Sequence, residues 1–363
     1  METTTLLNAA RRGDDEAFER LVEPHRRELH AHCYRMLGSL HDAEDALQDA
    51  LLRAWRGLPR FKGEHSLRPW LYKIATNTSL DVIGKRPERT LPIDHGPPSD
   101  PFDGPGEPLV ETVWIEPYPD EQLGLEDGYA APDARYEARE SVELAFVAAV
   151  QHLPANQRAV LLMREVLGFS AREVAESLET TVASVNSALQ RARKTIEEKM
   201  PAESQQATLR ALGDERVGEI VGRYMDALAS ADVDAVVGML AEDAAWSMPP
   251  AATWYRGASV PDFLRVGPLS GAWRWRHLPA HVNGQPAAGV YAWDEGSGTY
   301  LPFALDVLTL RGDRIAEVTA FIVRTTELPD REAFARWPEQ PLDPRRAEAV
   351  FGRAGLPASV SPA

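Results

Sequence analysis

The sequence is poor in cysteine, in long apolar runs and in positive charge. Its single cysteine, Cys33, excludes an internal disulfide and any metal site built from several cysteines, and it fits a reducing cytosol. No apolar run approaches the length of a membrane span, and residues 1–16 are too polar for a signal peptide. We therefore expect a soluble, cytoplasmic protein of two or three domains in its 363 residues.

Acidic side chains exceed basic ones, and the excess is concentrated in one segment. The formal net charge is −16, from 55 Asp and Glu against 39 Lys and Arg. Residues 90–139 alone hold 12 acidic and 2 basic side chains, whereas residues 1–89 and 140–200 are each close to neutral. The near-neutral segments are therefore candidates for DNA binding, but we expect that binding to be weak without a second protein.

Residues 161–199 have the pattern of helices joined by a short turn. Ser170 and Glu173 form a capping box at the start of one helix, and Thr181 is placed to cap the next. Glu179 occupies the turn where many such motifs have glycine, so a left-handed backbone there would be mildly strained. The spacing predicts a helix-turn-helix; the alternative is an ordinary helical hairpin with a solvated polar face.

The second helix of this motif has a polar face suited to a DNA groove. Short hydrogen-bonding side chains come first and cations follow, so N-terminal residues can reach base edges while later cations meet phosphates. The candidate DNA-binding residues of this face are Ser184, Asn186, Ser187, Gln190, Arg191, Arg193 and Lys194.

Residues 5–86 are predicted to form a helical bundle. One helix opens at residues 14–16, a second runs over about 24–37, and a third over 42–57. Beside its core stripe the third helix has a mixed acidic, amide and apolar face, which is either simply solvated or docks on a basic partner surface. The candidates on this face are Asp45, Gln48, Asp49 and Arg53.

A polar loop over residues 60–66 precedes a short helix rich in aromatic and basic side chains. Such a combination suits single-stranded nucleic acid, because unpaired bases stack on aromatic rings while cations follow the backbone. Trp70 and Leu71 are more simply explained as core residues, whereas Lys73 and Asn77 are better candidates for contacts.

Five motifs in a fixed order carry a family resemblance. They are DAEDALQD at 42–49, LRAW at 52–55, FKGE at 61–64, WLYKIATN at 70–77 and LQRAR at 189–193. Together they resemble an extracytoplasmic-function (ECF) sigma factor over about 10–85 and 140–199. The resemblance implies that the first block (region 2) binds core RNA polymerase and melts promoter DNA, while the second (region 4) reads the −35 element as duplex.

The resemblance also assigns roles to individual residues. It implies that the mixed face of the third helix binds the polymerase. It also implies that the loop at 62–66 holds a base flipped out of the −10 element. The −10 candidates are Lys62, His65, Ser66, Arg68, Lys73 and Asn77. In the recognition helix, Asn186, Ala188 and Gln190 replace cations that are common in the family, which predicts an unusual promoter sequence.

Residues 87–139 are predicted to be an acidic, proline-rich linker. Within it, residues 113–119 form an aromatic island, which we interpret as a segment that packs into a groove of another domain; the alternative is chance composition. The family resemblance would also let the acidic linker thread near the polymerase active-site channel.

From residue 208 the pattern predicts an α+β cone, with helices over 217–228 and 233–240 before a curved antiparallel sheet that ends in a hairpin at 311–313. Residues 208–328 resemble the SnoaL-like domain of the ketosteroid-isomerase (NTF2-like) superfold. The motifs are LAEDAAW at 240–246, WYRG at 254–257, NGQP at 283–286 and IAEVTAF at 315–321. The tail, 329–363, is expected to be loose apart from a short helix near 345–351.

The cone is predicted to hold a pocket without catalytic function. By resemblance, Tyr224 and Asp306 fall where isomerases hold a substrate oxyanion, but Met248 stands where the general base should be, and a thioether accepts no proton at neutral pH. We expect the pocket to bind a small apolar ligand or dock the linker; the alternative is a filled core. The candidate lining is Tyr224, Trp246, Met248, Trp254, Phe263, Trp273, Trp293, Phe303 and Asp306.

The sequence thus predicts a multidomain protein, with two all-α sigma domains and an α+β cone. Its expected function is to direct core RNA polymerase to promoters, with the cone acting in cis, and we expect no catalytic residues, cofactor or metal. The alternatives are a stand-alone helix-turn-helix repressor and an enzyme acting through the cone. The expected domains are 5–86, 87–139, 140–200, 208–328 and 329–363.

Overall fold

The computed structural model describes residues 2–61, 67–104, 109, 114–123, 140–201, 203–326 and 340–362. The chain divides into two compact units. The first, the helical unit, joins Met1–Arg89 with Glu121–Met200, and the second, the cone unit, joins Thr90–Asp120 with Pro201–Ala363. None of the helices in the described ranges is long and apolar enough to span a membrane.

The N-terminal half of the helical unit is a four-helix bundle. Helices α2, α3 and α4 pack against one another in pairs, and α1 packs on α2. Fully buried side chains such as Tyr34, Met36 and Tyr72 fill the space between them. The helix bounds are α1 Glu2–Arg11, α2 Asp15–Leu37, α3 Leu40–Gly57 and α4 Leu67–Ile83.

Helix α2 is continuous through Pro24, so the prediction of two separate helices over 14–37 is wrong. Proline inside a helix has no backbone N–H to donate to the residue four positions earlier, which here is Arg20. Both Pro24 and Arg20 are exposed, so this part of the helix lies against solvent and tolerates the proline. The end of α2 is as predicted, with Gly38 in the left-handed conformation at φ 67°.

The C-terminal half of the helical unit contains the helix-turn-helix. Its helices are α5 Leu144–Gln151, α6 Ala155–Leu161, α7 Ala171–Ser177 and α8 Val182–Lys199, with a π-helical turn over Leu162–Val166 after α6. The capping box of Ser170 and Glu173 is complete, and the Thr181 side chain accepts the N–H of Ser184 at the start of α8. These local predictions are confirmed.

A buried arginine ties the two halves of the helical unit together. The Arg158 guanidinium donates to the backbone carbonyl of Met36 at 2.6 Å and to the side-chain and backbone oxygens of Gln151 at 2.6 and 2.7 Å. Burial lowers the pKa of Arg158 to about 10. A parallel contact joins the Arg35 side chain to the carbonyl of Ser141 at 3.0 Å. Charge-assisted bonds of this kind are about twice as strong as neutral ones, so they fix the packing of the two halves.

The cone unit contains a six-stranded sheet in the order β2-β1-β6-β5-β4-β3. Strands β1 and β6 run parallel, while all other described neighbours are antiparallel, so the sheet is mixed and the prediction of a purely antiparallel sheet is wrong. Alternation of apolar residues identifies a strand but carries no information on the direction of a distant partner. The strands are β1 Leu240–Ser247, β2 Trp254–Arg256, β3 Trp275–Val282, β4 Gln285–Asp294, β5 Thr299–Arg311 and β6 Arg314–Ile322.

Two of the helices that precede the sheet, and a third between β2 and β3, pack on the apolar face of the sheet. Residues from α10, α11 and α12 join residues from all six strands in a single apolar core. The β5–β6 hairpin turns at Gly312, with φ 57°, where the sequence predicted it. The helix bounds are α9 Gln205–Leu212, α10 Asp214–Ala229, α11 Val233–Met239, α12 Ser259–Val266 and α13 Pro344–Val350.

Part of the predicted linker packs against the cone. The N–H of Tyr118 donates to the side-chain oxygen of Asn283 at 2.8 Å, and the N–H of Asn283 returns a bond to the carbonyl of Tyr118 at 2.7 Å. Pro119 forms a bridge with Val282, and Trp114, Ile115 and Tyr118 are buried. The prediction that this aromatic island packs against another domain is confirmed for Tyr118 and Pro119, whereas Trp114 and Ile115 contact Thr90 and His95 of the linker itself.

The C-terminal residues are more ordered than predicted. The short helix α13 is present, but the residues after it also pack on the sheet instead of lying loose. Val360 exchanges two backbone hydrogen bonds with Tyr300, at 2.8 and 2.9 Å. Leu356 lies so close to Gly289 that a Cβ there would stand 2.6 Å from its methyl carbon, so any other residue at position 289 would have to displace the Leu356 side chain.

Candidate nucleic-acid interface and cone cavity

The predicted polymerase-binding face of α3 is exposed. Asp45, Gln48, Asp49 and Arg53 all face solvent, beside an exposed Leu52, while Ala46, Leu47, Ala50 and Ala54 are buried on the opposite side. Arg53 forms an ion pair of 2.7 Å with Asp81 of α4. The helix therefore has a surface of mixed charge, with its apolar stripe fully used in the bundle.

The −10 candidates are divided between described and undescribed residues. Lys62, His65 and Ser66 lie outside the described residues. Arg68, Lys73 and Asn77 lie on α4 and are all partly exposed.

The two cations of this set contact the helix-turn-helix half of the same unit. The Arg68 guanidinium lies 5.0 Å from the ring centroids of both Tyr72 and Phe169. The Lys73 ammonium lies 3.3 Å from the carbonyl of Glu176 and 3.3 Å from the carboxylate of Glu179. In this arrangement both cations already have partners that compete with nucleic acid.

The recognition helix α8 places all seven of its candidates on the surface. Ser184, Asn186, Ser187, Gln190, Arg191, Arg193 and Lys194 are all exposed. Val185, Leu189 and Ala192 are buried on the inner face, as predicted. Val182 was predicted to belong to the same core stripe, but its side chain is 44% exposed. It occupies the first turn of the helix, where the stripe has not yet reached the neighbouring helices.

The turn before α8 has the strained backbone that the sequence predicted. Glu179 adopts φ 52°, in the left-handed region that favours glycine. The following N–H, of Thr180, donates to the carbonyl of Ala175 at 2.9 Å. This turn sets the angle between α7 and α8. The carboxylate of Glu179 also forms the ion pair with Lys73.

The cone contains an apolar cavity of about 380 Å³ on the face of its sheet that packs against the helices. Six of the predicted residues line it, and the walls also include residues of α12 and of the loop that follows it. The predicted residues that line the cavity are Trp246, Met248, Phe263, Trp273, Phe303 and Asp306.

Asp306, which lines the cavity, is hydrogen-bonded to the buried Tyr224, which does not. The Tyr224 hydroxyl donates to a carboxyl oxygen of Asp306 at 2.8 Å. Burial raises the pKa of Asp306 to about 7, and the bond from Tyr224 opposes this only in part. Burial and the nearby Asp306 raise the pKa of Tyr224 further above its ordinary value. Near neutral pH this pair therefore holds a proton that an ordinary aspartate would have lost.

Three predicted lining residues lie elsewhere. Tyr224 stands behind Asp306 rather than in the cavity wall. Trp254 lies on the other face of β2 from Tyr255, which stacks on Phe263 at 4.2 Å in the core. Val290 of β4 lines the cavity, and Trp293 lies three residues further along the same strand. Because successive side chains of a strand alternate between its faces, Trp293 points to the opposite face of β4. The sequence identified these large aromatics correctly as buried or packed but could not place them on a face.

Trp254 instead contacts the linker. Its indole N–H donates to the carbonyl of Gly96 at 2.9 Å, and its backbone carbonyl accepts the N–H of Ser99 at 2.7 Å. Nearby, the carbonyl of Pro250 accepts the N–H of Leu109 at 3.0 Å. One segment, 248–254, thus connects the cavity wall at Met248 with residues of the linker.

Trp275 and His277 were not predicted as cavity residues. Both lie on β3, two positions apart, and both line the cavity. Both ring nitrogens of His277 are shielded from solvent and, among the described residues, have no hydrogen-bond partner. Burial lowers the pKa of His277 to about 4, so its ring is neutral near pH 7. The alternation of Trp273, Trp275 and His277 was the signal that could have identified them.

Three family models match the chain in succession. Sigma-70 region 2 matches residues 21–87, Sigma-70, region 4 matches residues 143–196, and SnoaL-like domain matches residues 221–318. The first two lie in the helical unit and the third lies in the cone unit. These matches define the class of protein, a sigma-70-type transcription initiation factor with an added α+β domain.

Relatives of known function identify the family within that class. The ECF RNA polymerase sigma factor SigG of Mycobacterium tuberculosis is 43% identical over 317 residues, which cover 87% of this chain and 83% of SigG. SigW of Bacillus subtilis is 27% identical over 197 residues, covering 53% of this chain and 94% of SigW. The chain belongs to the ECF RNA polymerase sigma factors. It therefore acts with core RNA polymerase and promoter DNA, and the repressor and enzyme alternatives are not favoured.

One solved structure is similar to this chain over most of both chains. The crystal structure of the Mycobacterium tuberculosis ECF sigma factor SigJ matches with a TM-score of 0.50 and 23% identity, covering 87% of this chain and 97% of that one. At this identity the likeness concerns the fold alone. It agrees with helical sigma domains followed by an α+β domain.

Proposed function

We propose that three surfaces of the helical unit divide the work of promoter recognition. The α3 face binds core polymerase, α4 with the preceding loop holds the melted −10 strand, and α8 reads the −35 element in the major groove. The observation that carries this proposal is the outer face of α8, where all seven candidate side chains are exposed and the short polar ones precede the cations.

The −10 role of α4 requires its cations to leave their present partners. The Lys73–Glu179 pair is 3.3 Å long, and its carboxylate is largely exposed. Exposed ion pairs contribute roughly 0–1 kcal/mol, whereas several phosphates on one strand attract a cation together. We infer that promoter DNA, rather than Glu179, holds Lys73 in the transcribing complex.

The domain limits that we propose are those expected from the sequence: region 2 over 5–86, the linker over 87–139, region 4 over 140–200, the SnoaL-like domain over 208–328, and a tail over 329–363. The cone acts as a regulatory domain without catalysis, because a thioether at position 248 offers no general base. Its contacts with Gly96, Ser99 and Tyr118 support a role exerted through the linker.

Run-off transcription with purified core polymerase on genomic fragments tests this function. The full chain should produce discrete transcripts, and Arg191→Ala should reduce their yield about tenfold at limiting protein, as expected for the loss of one DNA contact. Arg223→Ala, which removes an exposed cation from α10 of the cone unit, is the matched control and should leave the yield unchanged. Duplex binding without polymerase, combined with no polymerase-dependent transcript, would instead support a repressor.

A further inference from the structure

One apolar side chain and two amides follow one another along the outer surface of α8. Val182, Asn186 and Gln190 are spaced four residues apart, and all three are exposed. Side chains at this spacing are neighbours on a helix, so the three residues form one ridge, which we call the amide ridge. The Val182 side chain is 44% exposed, so the ridge begins with an apolar surface and continues with two amides.

The amide ridge borders a basic groove. Among the described residues that line this groove, four side chains are basic and one, Glu197, is acidic. A surface of this charge complements the phosphates of a DNA duplex, which would hold α8 in place without reading the sequence. The basic residues are Arg164, Arg191, Arg193 and Lys194.

Position along α8 separates the role of the amides from that of the cations. The N-terminal part of a recognition helix contacts base edges, and Asn186 and Gln190 are the fifth and ninth of the 18 residues of α8. Arg193 follows them and pairs with the partly exposed Glu165 at 2.7 Å. Exposed pairs of this kind are weak, so phosphates can replace Glu165, whereas base-specific bonds fall to the two amides.

An amide side chain matches one base better than the others. It offers a donor N–H beside an acceptor oxygen, and adenine presents the complementary N7 acceptor and N6 donor in the major groove. Guanine presents two acceptors there and cytosine a single donor, so neither base uses both groups of the amide. An exposed apolar side chain such as Val182 is complementary to the C5-methyl group of thymine.

The geometry of the helix limits the distance between the bases that the two amides can reach. Residues four apart are separated by about 6 Å along a helix axis, and successive bases of one DNA strand by about 3.4 Å. Asn186 and Gln190 therefore reach bases that are one or two steps apart.

We propose that the −35 element read by this protein contains two adenines of one strand, one or two steps apart, each bound through two hydrogen bonds by Asn186 or Gln190. A thymine methyl group nearby packs on Val182. The inference rests on the −35 role proposed for α8 and specifies the bases that this helix selects.

Selection from a promoter library tests the proposal. The full-length protein with core polymerase transcribes a promoter found by the run-off assay, with its −35 hexamer randomised, and the transcribed templates are sequenced. Adenine should be enriched about fivefold or more over each other base at two positions, one or two steps apart. Asn186→Ala should abolish the enrichment at one position and Gln190→Ala at the other.

Asn156→Ala removes an exposed amide from α6 and is the matched control, which should keep both enrichments. Enrichment of a base other than adenine at the positions that respond to the two amide variants would overturn the proposal. Adenine enrichment that survives both variants would do the same.

Base analogues supply a second test. Replacing either adenine by 7-deazaadenine removes the N7 acceptor, and it should weaken promoter binding by the wild-type holoenzyme about fivefold. The variant that lacks the corresponding amide should not respond to this replacement. Equal binding of the adenine and 7-deazaadenine promoters by the wild type would contradict the amide contacts.

Uracil in place of the thymine removes only the C5-methyl group. This replacement should weaken binding by the wild type about two- to threefold and should not affect Val182→Ala. Equal binding of the thymine and uracil promoters by the wild type would contradict the valine contact.

The −35 role of α8 and its base preference can fail separately. If α8 does not read the −35 element, the selection enriches no base in the hexamer, and Arg191→Ala leaves transcription unchanged. If α8 reads the element through other side chains, the enrichment persists in both amide variants while Arg191→Ala still lowers the yield.

Discussion

At the scale of single residues, Asp306 links the stability of the cone to pH. Its pKa is raised to about 7 from an ordinary value of 3.8, because burial disfavours the charged form. The folded state therefore binds the proton more tightly than the unfolded state. The resulting stabilisation is fully present below pH 3.8 and is lost as pH rises through 7, a change on the order of 4 kcal/mol.

Asp306→Asn removes this titration while keeping the shape and the bond from Tyr224. The free energy of unfolding of the cone, measured by urea denaturation with tryptophan fluorescence, should favour the variant progressively as pH rises from 4 to 8. His277, whose pKa is lowered to about 4, has the opposite trend, losing stability as pH falls below 6.5, but it is present in both proteins and cancels from the difference. A difference between wild type and variant that does not change with pH would contradict the prediction.

The sequence predicted residue chemistry better than residue position. Tyr224, Asp306 and Met248 were predicted as pocket residues through the family resemblance; Asp306 and Met248 line the cavity, whereas Tyr224 does not and bonds Asp306 instead. Trp254 was misplaced and His277 missed because the face of a short strand depends on its register against neighbours far away in the sequence. The contacts proposed for the exposed residues of α3 and α8 stay predictions.

At the scale of elements, the turn between α7 and α8 combines a strained backbone with an ion pair. Glu179→Gly removes the left-handed strain and the carboxylate together, whereas Glu179→Ala removes only the carboxylate. Because alanine at φ 52° keeps a penalty that glycine lacks, the glycine variant should exceed the alanine variant by about 1 kcal/mol in free energy of unfolding of the helical unit.

Thermal or urea unfolding of the two variants, followed by circular dichroism, measures this difference. Ala231, with φ 54° in the cone unit, provides a matched control without an ion pair, and Ala231→Gly should stabilise by a similar margin over its own parent. Equal stability of the glycine and alanine variants at position 179 would show that the turn is not strained.

Element boundaries were predictable where the determining contacts are local. The capping box at Ser170, the cap at Thr181 and the glycine that ends α2 all act within a few residues of themselves. The continuity of α2 through Pro24 depends on the exposed position of that proline, and the parallel pairing of β1 with β6 depends on the path of the intervening chain. Neither property is recorded in local sequence patterns.

At the scale of the whole molecule, the linker belongs with the cone. Residues 90–120 join, in sequence, the two segments of the helical unit, yet they cluster with 201–363. Truncation after Met200 would remove every cone partner of these residues while leaving the α3 face unaltered. We expect the truncated protein to keep its affinity for core polymerase but to change its transcript yield about fivefold or more, a typical size for coupling between sites.

Run-off transcription of the full and truncated proteins, with polymerase affinity measured in parallel, makes this comparison. Trp254→Phe is the matched point variant, because it keeps the ring but removes the hydrogen bond to Gly96, and it should shift yield in the same direction by a smaller factor. Identical yields from the full and truncated chains would show that the cone does not regulate transcription.

The bond between Tyr118 and Asn283 also has a consequence for synthesis on the ribosome. The two residues are 165 positions apart, so at ordinary translation rates on the order of ten seconds or more separate their appearance. Both helical segments, 1–89 and 121–200, are complete before the cone strands that receive the linker exist. Every newly made chain therefore passes through an interval in which its promoter-recognition segments are finished and its linker is still unrestrained.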